Sequence, residues 1–385
     1  MDLDFSPQDQ AFRAEVRAFL EAALQPRFRE LAARTTTVFG EPPEVLDWQR
    51  VLDDKGWLVP HWPADVGGQR WSPIQRFIFD QELARAGAPV LPGMGLKLLG
   101  PVLYTFGTPE QKAVWLPPLR RGTQFWAQGF SEPGSGSDLA SLRTRAVRDA
   151  NGDFVLNGQK TWTTMAQHAT HMFCLVRTDA TVKPQRGISF LLVDMAQPGV
   201  EVRAILSASG DHEVNEVFLD NVHVPAANLV GLEGQGWTIA KFLLENERGG
   251  SSYGPALVAD VARLRAGLAA LPCAADPILR DRLVRIEIDA MSLEMTELRI
   301  LAGMAAGDAP SALSLTTKLI ASEIRQAVEQ FATEMLGMAG LALPEDRADP
   351  ARTAAARYLN SRAWSIFGGS SEIQLGIIAR GALGL

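Results

Sequence analysis

Apolar residues recur every three or four positions in the first third of the chain, which is typical of amphipathic helices. The first such stretch follows Ser6-Pro7, a helix N-cap with a first-turn proline. Similar start signals occur at Ser72 and at Thr108, where the Thr-x-x-Gln sequence has the form of a capping box. The pattern therefore predicts a mainly helical domain over residues 1–122.

The pattern changes at about Phe125 to short β-prone runs divided by the turn pairs Asn151-Gly152, Asn157-Gly158 and Pro198-Gly199. The runs read DFVLNGQKTWTT, HMFCLVRTD, GISFLLVDM, GVEVRAI and NEVFLDNVHVP. No helical pattern interrupts them, so we expect consecutive strands to pair antiparallel. Residues 123–233 are predicted to form an antiparallel barrel or sandwich rather than a doubly wound nucleotide fold.

Alanine- and leucine-rich sequence with helical periodicity returns at about Gly234, with long segments near 276–306 and 310–336. A helical bundle over 234–385 is the natural interpretation. The chain is thus predicted to be a multi-lobed α+β protein whose domains are 1–122, 123–233 and 234–385.

Composition narrows the class of protein. The 385 residues are 46% hydrophobic and 21% charged, as in globular proteins, and the net charge of -7 comes without the basic runs that nucleic-acid binding requires. The sequence contains no run of about 18 apolar residues, so we expect no membrane-spanning helix. Its two cysteines suggest a reducing cytoplasm rather than a disulfide framework. His168 and His171 could share a helix face, but the five histidines lack metal-ligand spacing, so we expect no metal.

Two stretches of the middle third carry residues suited to a ligand. WAQGFSEPGSGSDLASLRTRA, at 126–146, contains a glycine-serine turn whose N–H groups and hydroxyls suit a polar or anionic ligand. NGQKTWTT places Trp162 and Thr164 two residues apart, and so on one face of a strand. An indole beside a hydroxyl suits a flat, partly polar heterocycle, although an ordinary turn and a core tryptophan are the alternatives.

These motifs resemble those of the acyl-CoA dehydrogenase family along almost the whole chain. SEPGSGSD and NGQKTWTT are followed in order by GISFLLVD, VFLDNVHVPAANLVG and FGGSSEIQLGIIAR. The resemblance implies N-terminal helices, a central antiparallel β-barrel and a C-terminal four-helix bundle that oligomerises. It also implies FAD-dependent oxidation of an acyl-CoA to the 2,3-enoyl-CoA, in which a carboxylate removes the α proton and the β hydride passes to flavin N5.

The resemblance implies a role for individual residues. The segment from Gln128 to Ser131 would line the flavin, with N–H groups and the Ser131 hydroxyl at the pyrimidine edge. Trp162 would pack near the isoalloxazine and Thr164 would bond close to N5. The expected cofactor-binding residues are Gln128, Gly129, Phe130, Ser131, Trp162, Thr163, Thr164, Ser370 and Glu372. Ser137, near the coenzyme A arm, and Arg248 are the expected substrate-binding residues.

The catalytic base departs from one branch of the family and matches another. In many members it is a glutamate in the C-terminal motif, where SIFGGSSEIQ has Gly368, which offers only an N–H to polarise the thioester oxygen. In the isovaleryl and long-chain enzymes the base precedes an arginine at the start of a bundle helix, as Glu247 precedes Arg248 in LLENERGG. A helix glutamate is ordinarily a solvated surface residue, but this match makes Glu247 the predicted base, assisted by Arg248 and Gly368. Glu245 lies about 200° around the helix from it.

A second departure concerns the family's Arg-x-x-Phe-Gly motif, which reaches the flavin diphosphate and adenine of a neighbouring subunit. No phenylalanine occurs between Phe242 and Phe331, so this motif is missing, and EMLGMAG at 334–340 departs from Gln-x-x-Gly-Gly-x-Gly. Bacterial relatives similar to pimeloyl-CoA and steroid side-chain dehydrogenases often pair two different subunits. We therefore expect either a heterotetramer with a related subunit or a homo-oligomer.

Two alternatives remain open at the level of sequence. A non-catalytic partner subunit would be expected to lose the flavin-facing residues and the base, yet Ser131, Trp162, Thr164 and Glu247 are all present. An acyl-CoA oxidase or nitroalkane oxidase would share the fold, and oxygen reactivity cannot be read from sequence. For a dehydrogenase, the expected partners are an acyl-CoA, mildly favoured to be bulky because Gly368 is small, and electron-transfer flavoprotein or a similar acceptor.

Overall fold

The computed structural model describes residues 5–249, 252–305, 312–343 and 353–385, with side chains for all of these except 245–249 and 305. The chain divides into two compact units, each treated separately below. The helical unit comprises Met1–Trp48, Gly68–Val90 and Arg248–Leu385, and the sheet unit comprises Gln49–Gly67 and Leu91–Glu247.

Helices occupy both ends of the chain, as predicted. They are α1 (Pro7–Ala23), α2 (Pro26–Arg34), α3 (Glu44–Lys55), α4 (Pro73–Ala86), α5 (Gly100–Phe106), α6 (Pro109–Arg121), α7 (Gly236–Gly249), α8 (Gly254–Ala269), α9 (Pro277–Ala305), α10 (Thr317–Met335), α11 (Ala354–Ser361) and α12 (Ser371–Ala382). Among the described helices, none is long and apolar enough to cross a membrane.

The predicted helix starts are confirmed. The Ser6 hydroxyl accepts the Asp9 N–H at 3.1 Å, and Ser72 and Thr108 each form a capping box with the glutamine three residues later. Each cap satisfies N–H groups that the first helical turn leaves without an intrahelical partner.

The central domain is one sheet, as predicted, but the sheet is not a closed barrel. Its strands are β1 (Trp126–Gly129), β2 (Arg145–Arg148), β3 (Phe154–Thr164), β4 (His171–Arg177), β5 (Ile188–Asp194), β6 (Val200–Ile205), β7 (Val214–Val224) and β8 (Leu229–Val230). The order is β6-β7-β3-β2-β4-β5-β8, with β1 also paired to β4. Among the described residues β6 and β8 end this order without pairing to each other, and the two residues of β8 are too few to close it.

The prediction of antiparallel pairing is correct for the strand pairs that follow each other as hairpins, β2–β3, β4–β5 and β6–β7. It is wrong for β1 and β2, which both pair parallel to β4. A parallel pair needs a long connection between its strands. Here the β2–β3 hairpin supplies that connection, so no crossover helix was needed to produce a mixed sheet.

Two local interpretations of the sequence were also wrong. Asn157-Gly158 does not divide two strands but lies within β3, where the register against β7 shifts between Leu156 and Gly158. The extra residue lies in β7, where Asp220 and Asn221 stand opposite Asn157, and β3 continues through the turn-forming pair. His168 lies in a short 3₁₀ turn and His171 starts β4, so they share no helix face.

Each unit has its own apolar core. In the sheet unit, alternate residues of β3, β4, β5 and β7 are buried together, including Phe154, Met172 and Val217. In the helical unit, α8, α9 and α10 bury a cluster around Ala290 and Phe331. Helix α8 approaches α9 closely at Gly254, where a Cβ would lie 2.5 Å from Glu294 Cα.

Glu297 is a buried carboxylate at this helix crossing. Its oxygens accept the N–H groups of Tyr253 and Gly254, both at 2.9 Å, at the start of α8. Burial raises the pKa of Glu297 to about 7 despite these two bonds, and the nearby carboxylates of Asp80 and Glu294 add to the rise. The folded helical unit therefore binds a proton at Glu297 more tightly than the unfolded chain does.

This raised pKa predicts a loss of stability as pH increases. Between pH about 4.5 and 7 the unfolded chain ionises Glu297 while the folded chain holds it protonated, which lowers the free energy of unfolding by on the order of 3 kcal/mol. Between pH 5 and pH 8, the melting temperature of wild type should fall further than that of Glu297→Gln. The exposed Glu323→Gln is the control. An equal fall in wild type and Glu297→Gln would contradict the assignment.

Candidate active site

The structure brings together two segments that are distant in the sequence, Gln128–Ser131 and Trp162–Thr164. The N–H of Thr161 donates to the carbonyl oxygen of Ser131 at 2.9 Å. Gln128 and Ser131 are half-buried, whereas Gly129 and Phe130 are buried. The polar ends of the first segment thus lie at the surface of the sheet unit beside the turn that carries Trp162.

Trp162 is presented outward by a bulge at the end of β3. Between Lys160 and Thr163 the strand holds one residue more than β7 holds between Val217 and Asn215. Trp162 adopts a left-handed backbone with φ of 57°, which is a true outlier for a bulky residue. Its side chain is 63% exposed, while its neighbours Thr161 and Thr163 are buried. An exposed indole held by a strained backbone is a candidate ligand surface.

The neighbouring threonines differ in what they can offer a ligand. Thr164 is half-buried, so part of its side chain is accessible to a ligand. The Thr163 side chain is buried, and among the described residues its Oγ1 has no hydrogen-bond partner. The Thr163 carbonyl accepts the Asn215 side chain at 3.0 Å. A surface ligand would therefore meet Thr164 rather than the Thr163 side chain.

The glycine-serine turn is closed by reciprocal backbone bonds between Glu132 and Ser135, at 2.8 and 2.9 Å. Ser135 is buried and its hydroxyl donates to the Asp138 carbonyl, whereas Ser137 is exposed. A cavity of about 300 Å³ lies beside this turn. It is lined by Glu132, Pro133, Gly134, Ser135, Ser141, Arg143, Thr144, Gly158 and Gln159. Of the serines in this turn, Ser137 is available to a ligand by exposure.

Sequence reasoning missed a buried ion pair beneath these segments. Lys160 is fully buried, and its Nζ lies 2.8 Å from Glu132 Oε1. Burial opposes ionisation of Glu132, but the Lys160 charge and hydrogen bonds from Lys160, Thr144 and Arg143 outweigh it and lower the pKa of Glu132. Both residues lie inside the quoted motifs SEPGSGSD and NGQKTWTT. The available signal was a charged residue at an inward-facing position of each.

In the helical unit, Gly368 lies in a tight turn immediately before α12. Gly368 and Gly369 have left-handed φ values of 63° and 94°, which favour glycine. At Gly369 a Cβ would also lie 2.7 Å from Gln374 Nε2. Ser370 is the N-cap of α12, and Glu372 is exposed in its first turn. The Glu372 N–H and the Ser370 side chain lower the pKa of Glu372.

A polar stripe on α10 holds the Gly368 turn in place. Lys318 Nζ donates to the carbonyls of Trp364 and Gly369, both at 2.8 Å. Ser322, one helical turn later, donates to the same Trp364 carbonyl at 3.0 Å. Gln374 donates to the Gly368 carbonyl at 3.0 Å. These bonds fix the backbone of the turn, and sequence reasoning did not identify Lys318 or Ser322.

Glu247 and Arg248 lie on α7, whose backbone continues to Gly249. The stretch LLENERGGSSYG therefore ends one helix and begins the next, rather than opening a single helix as expected. The side chains of Glu245, Glu247 and Arg248 lie outside the described residues, so their assignments stay predictions. No cluster of potential metal ligands occurs among the described residues, and Cys174 and Cys273 are free thiols.

Family models match the chain from near its start to near its end. The acyl-CoA dehydrogenase N-terminal, middle and C-terminal domains match residues 6–123, 127–222 and 234–383. The chain is 37% identical over 384 residues to the acyl-CoA dehydrogenase IpdE1 of Mycobacterium tuberculosis, with 97% of each chain covered. It is 40% identical over 365 residues to the acyl-CoA dehydrogenase FadE34 of the same organism, covering 94% of this chain and 49% of that protein.

Solved structures of similar proteins cover the whole chain. The ChsE4-ChsE5 complex from Mycobacterium tuberculosis and the Tcur3481-Tcur3483 steroid ACAD each match with a TM-score of 0.85 at 29% identity. Each match covers 100% of this chain and 99% of the other. With all three family domains present in order, the chain belongs to the acyl-CoA dehydrogenase family, oxidoreductases of lipid metabolism that are typically flavin-dependent.

Proposed function

We propose that this chain catalyses the FAD-dependent α,β-dehydrogenation of an acyl-CoA thioester to the 2,3-enoyl-CoA. The observation that carries the proposal is the bond from Thr161 N–H to Ser131 O, which joins the Gln128–Ser131 segment to the strand end that carries the exposed Trp162. A flat heterocycle with one polar edge needs both an aromatic or apolar face and donors along that edge. The two joined segments contain residues of both kinds.

The residues present fit a flavin at this surface. Trp162 supplies an exposed ring, while Ser131 and Thr164 supply half-buried hydroxyls on either side of it in sequence. FAD, when bound, supplies the two-electron acceptor that the oxidation requires. The protein's contribution is then to hold the acyl-CoA, polarise its thioester and remove one proton.

Glu247 is the proposed base, and its carboxylate takes the α proton from the substrate. Removing this proton moves negative charge onto the thioester oxygen, and the Gly368 N–H is proposed to donate a hydrogen bond to that oxygen. Arg248 and Ser137 are proposed to bind the substrate, with Ser137 near the coenzyme A arm. Ser370 and Glu372, at the start of α12, are proposed to complete the cofactor contacts.

We propose that the active form is an oligomer, either with a second copy or with a related subunit. Four apolar residues on α9 are exposed at a spacing of four, three and four residues, namely Val284, Ile288, Met291 and Met295. An exposed apolar stripe of this kind on a long helix is typical of a subunit interface. The similar ChsE4-ChsE5 structure is a complex of two proteins by its title. A partner would supply the contacts of the missing Arg-x-x-Phe-Gly motif.

Flavin occupancy should therefore depend on assembly. Purified alone, the chain should hold less than one FAD per subunit, because a partner is needed for the remote diphosphate and adenine. Co-expression with a related subunit should raise the occupancy, read as the ratio of flavin to protein absorbance together with mass from light scattering. Full occupancy in a demonstrated monomer would refute this dependence.

A bulky acyl group is the proposed substrate class. Gly368 removes side-chain volume where many family members have a glutamate, and one similar structure is titled a steroid ACAD. The decisive experiment is anaerobic titration of the flavin-loaded protein with straight, branched and polycyclic acyl-CoA thioesters. Bleaching of the flavin absorbance by bulky thioesters is the expected result. No bleaching by any member of the panel would reject the proposed activity.

The electron acceptor, the domains and the cellular site are further parts of this proposal. Electron-transfer flavoprotein, or a similar carrier, is the proposed acceptor, and slow reoxidation of the reduced protein by oxygen would distinguish it from an oxidase. The functional division into 1–122, 123–233 and 234–385 follows the change in sequence pattern. The free thiols of Cys174 and Cys273 support a cytoplasmic location.

A further inference from the structure

Lys160 is an unusual core residue because all of its polar contacts are inside the sheet unit. The side chain is fully buried, and Nζ donates to Glu132 Oε1 at 2.8 Å, Leu175 O at 2.7 Å and Phe130 O at 3.2 Å. These bonds use the three donors of one ammonium group. They join β3, which carries Lys160, to β4 and to the segment that follows β1.

Glu132 completes the arrangement from the other side of the pair. Its Oε1 also accepts the Thr144 N–H at 2.9 Å, and its Oε2 accepts the Arg143 N–H at 2.6 Å. The Glu132 carboxylate therefore fixes the backbone at the start of β2. The Glu132 backbone closes the glycine-serine turn through its bonds with Ser135. One buried pair thus ties β2, β3 and β4 to the glycine-serine turn.

Successive carbonyls above the pair each have a fixed partner. Phe130 O accepts Lys160 Nζ, Ser131 O accepts the Thr161 N–H at 2.9 Å, and Glu132 O accepts the Ser135 N–H. A trans peptide is planar, so its N–H points opposite to its C=O. Because Lys160 holds the Phe130 carbonyl inward, the Ser131 N–H of the same peptide is directed away from Lys160.

A contribution to stability does not by itself explain why the sheet unit contains the buried Lys160–Glu132 ion pair. Apolar residues of similar volume often replace a buried ion pair without loss of stability, whereas removing one partner leaves an uncompensated charge. An ion pair is instead suited to fixing one geometry among several that an apolar core would tolerate. The geometry fixed here is that of the peptide before Ser131.

We propose that Lys160 is a positioning residue for the cofactor, which directs the Ser131 N–H toward the polar edge of the flavin ring. This inference rests on the proposed function, because it places FAD against the Gln128–Ser131 segment. Glu132 holds the Lys160 side chain in place through their ion pair. Neither side chain touches the cofactor in this role, and each acts through the backbone.

The first test separates positioning from folding. Lys160→Met/Glu132→Leu removes both charges together. Its melting temperature should fall, because Phe130 O, Leu175 O and the N–H groups of Arg143 and Thr144 lose their side-chain partners, so FAD binding is measured well below that temperature. Its FAD dissociation constant, measured by fluorescence quenching after removal and re-addition of FAD, should still rise at least about tenfold, because a directed donor to the ligand is lost. Asp53→Leu/Arg120→Met, which removes an ion pair between α3 and α6 in the same unit, is the matched control.

The second test uses single variants, so that the proposal remains testable if the double variant does not fold. Lys160→Gln and Glu132→Gln each remove one charge of the same pair, but only Lys160→Gln removes the ammonium donor to Phe130 O. The rise in the FAD dissociation constant should be at least about fivefold larger for Lys160→Gln. Its flavin absorption bands should also shift further toward those of free FAD.

The outcomes distinguish this inference from the proposed function. If wild type binds no FAD, either alone or co-expressed with a related subunit, the proposed function itself fails. If wild type binds FAD and the double variant binds it within threefold, the pair has only a structural role and the inference is overturned. Equal weakening by Lys160→Gln and Glu132→Gln would overturn it as well, because breaking the pair would then explain the whole effect.

Discussion

Glu247→Gln is expected to slow anaerobic flavin reduction at saturating substrate by at least about 100-fold. General-base assistance is typically worth roughly 10²- to 10⁴-fold in rate, which corresponds to about 3 to 5 kcal/mol of barrier. A glutamine side chain has nearly the same shape but cannot accept the α proton. The variant should therefore retain FAD and bind the thioester, and it should lose the reductive step measured by stopped-flow absorbance.

Glu245→Gln is the matched control for this experiment. It removes a carboxylate two residues away on α7, about 200° around the helix, and should stay within a few-fold of wild type. Reduction of Glu247→Gln at the wild-type rate would show that Glu247 is an ordinary helix carboxylate. Loss of activity together with loss of FAD would instead point to a role in holding the protein together.

Short-range chemistry explains why much of the fold could be predicted. The caps at Ser6, Ser72 and Thr108 depend on side-chain and backbone groups within three residues, so their sequence signal is complete. The strands β3 to β7 were also recognisable, because their runs are rich in β-branched and aromatic residues. Both signals are local.

Long-range pairing explains what was missed in the sheet. The parallel partners Trp126 and His171 are separated in sequence by the β2–β3 hairpin, and no local sequence pattern predicts that they pair. Sheet closure would require β6 and β8 to pair across the domain, and no local pattern in the sequence indicates whether they do. The bulge at Trp162 was likewise invisible, because its left-handed backbone occurs in a residue that rarely adopts it.

The candidate site shows the same difference between local sequence signals and long-range contacts. Residues proposed to face a ligand, such as Ser131 and Trp162, could be named from the sequence because their motifs are contiguous. Residues that act from beneath, Lys160 and Lys318, were missed because their partners lie up to 51 positions away. Their burial became visible only in the structure, where each lysine donates to backbone carbonyls, as expected for a residue that is almost never fully buried without partners.

Lys318→Met is expected to lower the rate of flavin reduction about 100-fold in the folded, FAD-loaded protein. Lys318 is 7% exposed and holds the carbonyls of Trp364 and Gly369 on either side of Gly368. Methionine fills similar volume but donates nothing, so both carbonyls lose a charged donor. A shift of about 1 Å in the Gly368 N–H would misplace it relative to the thioester oxygen, and misplacements of that size cost roughly 100-fold.

The loss should appear in the reductive step rather than in substrate capture, because Lys318 acts on the turn and not on the acyl chain. Stability should also fall, by up to a few kcal/mol, since unpaired carbonyls cost about 1 to 3 kcal/mol each where they are buried. Assays are therefore run well below the melting temperature of the variant. Glu323→Met, an exposed position on the same helix α10, controls for the new side chain and the lost charge. A Lys318→Met protein that melts lower yet reduces its flavin at the wild-type rate would show that Lys318 only stabilises the helical unit.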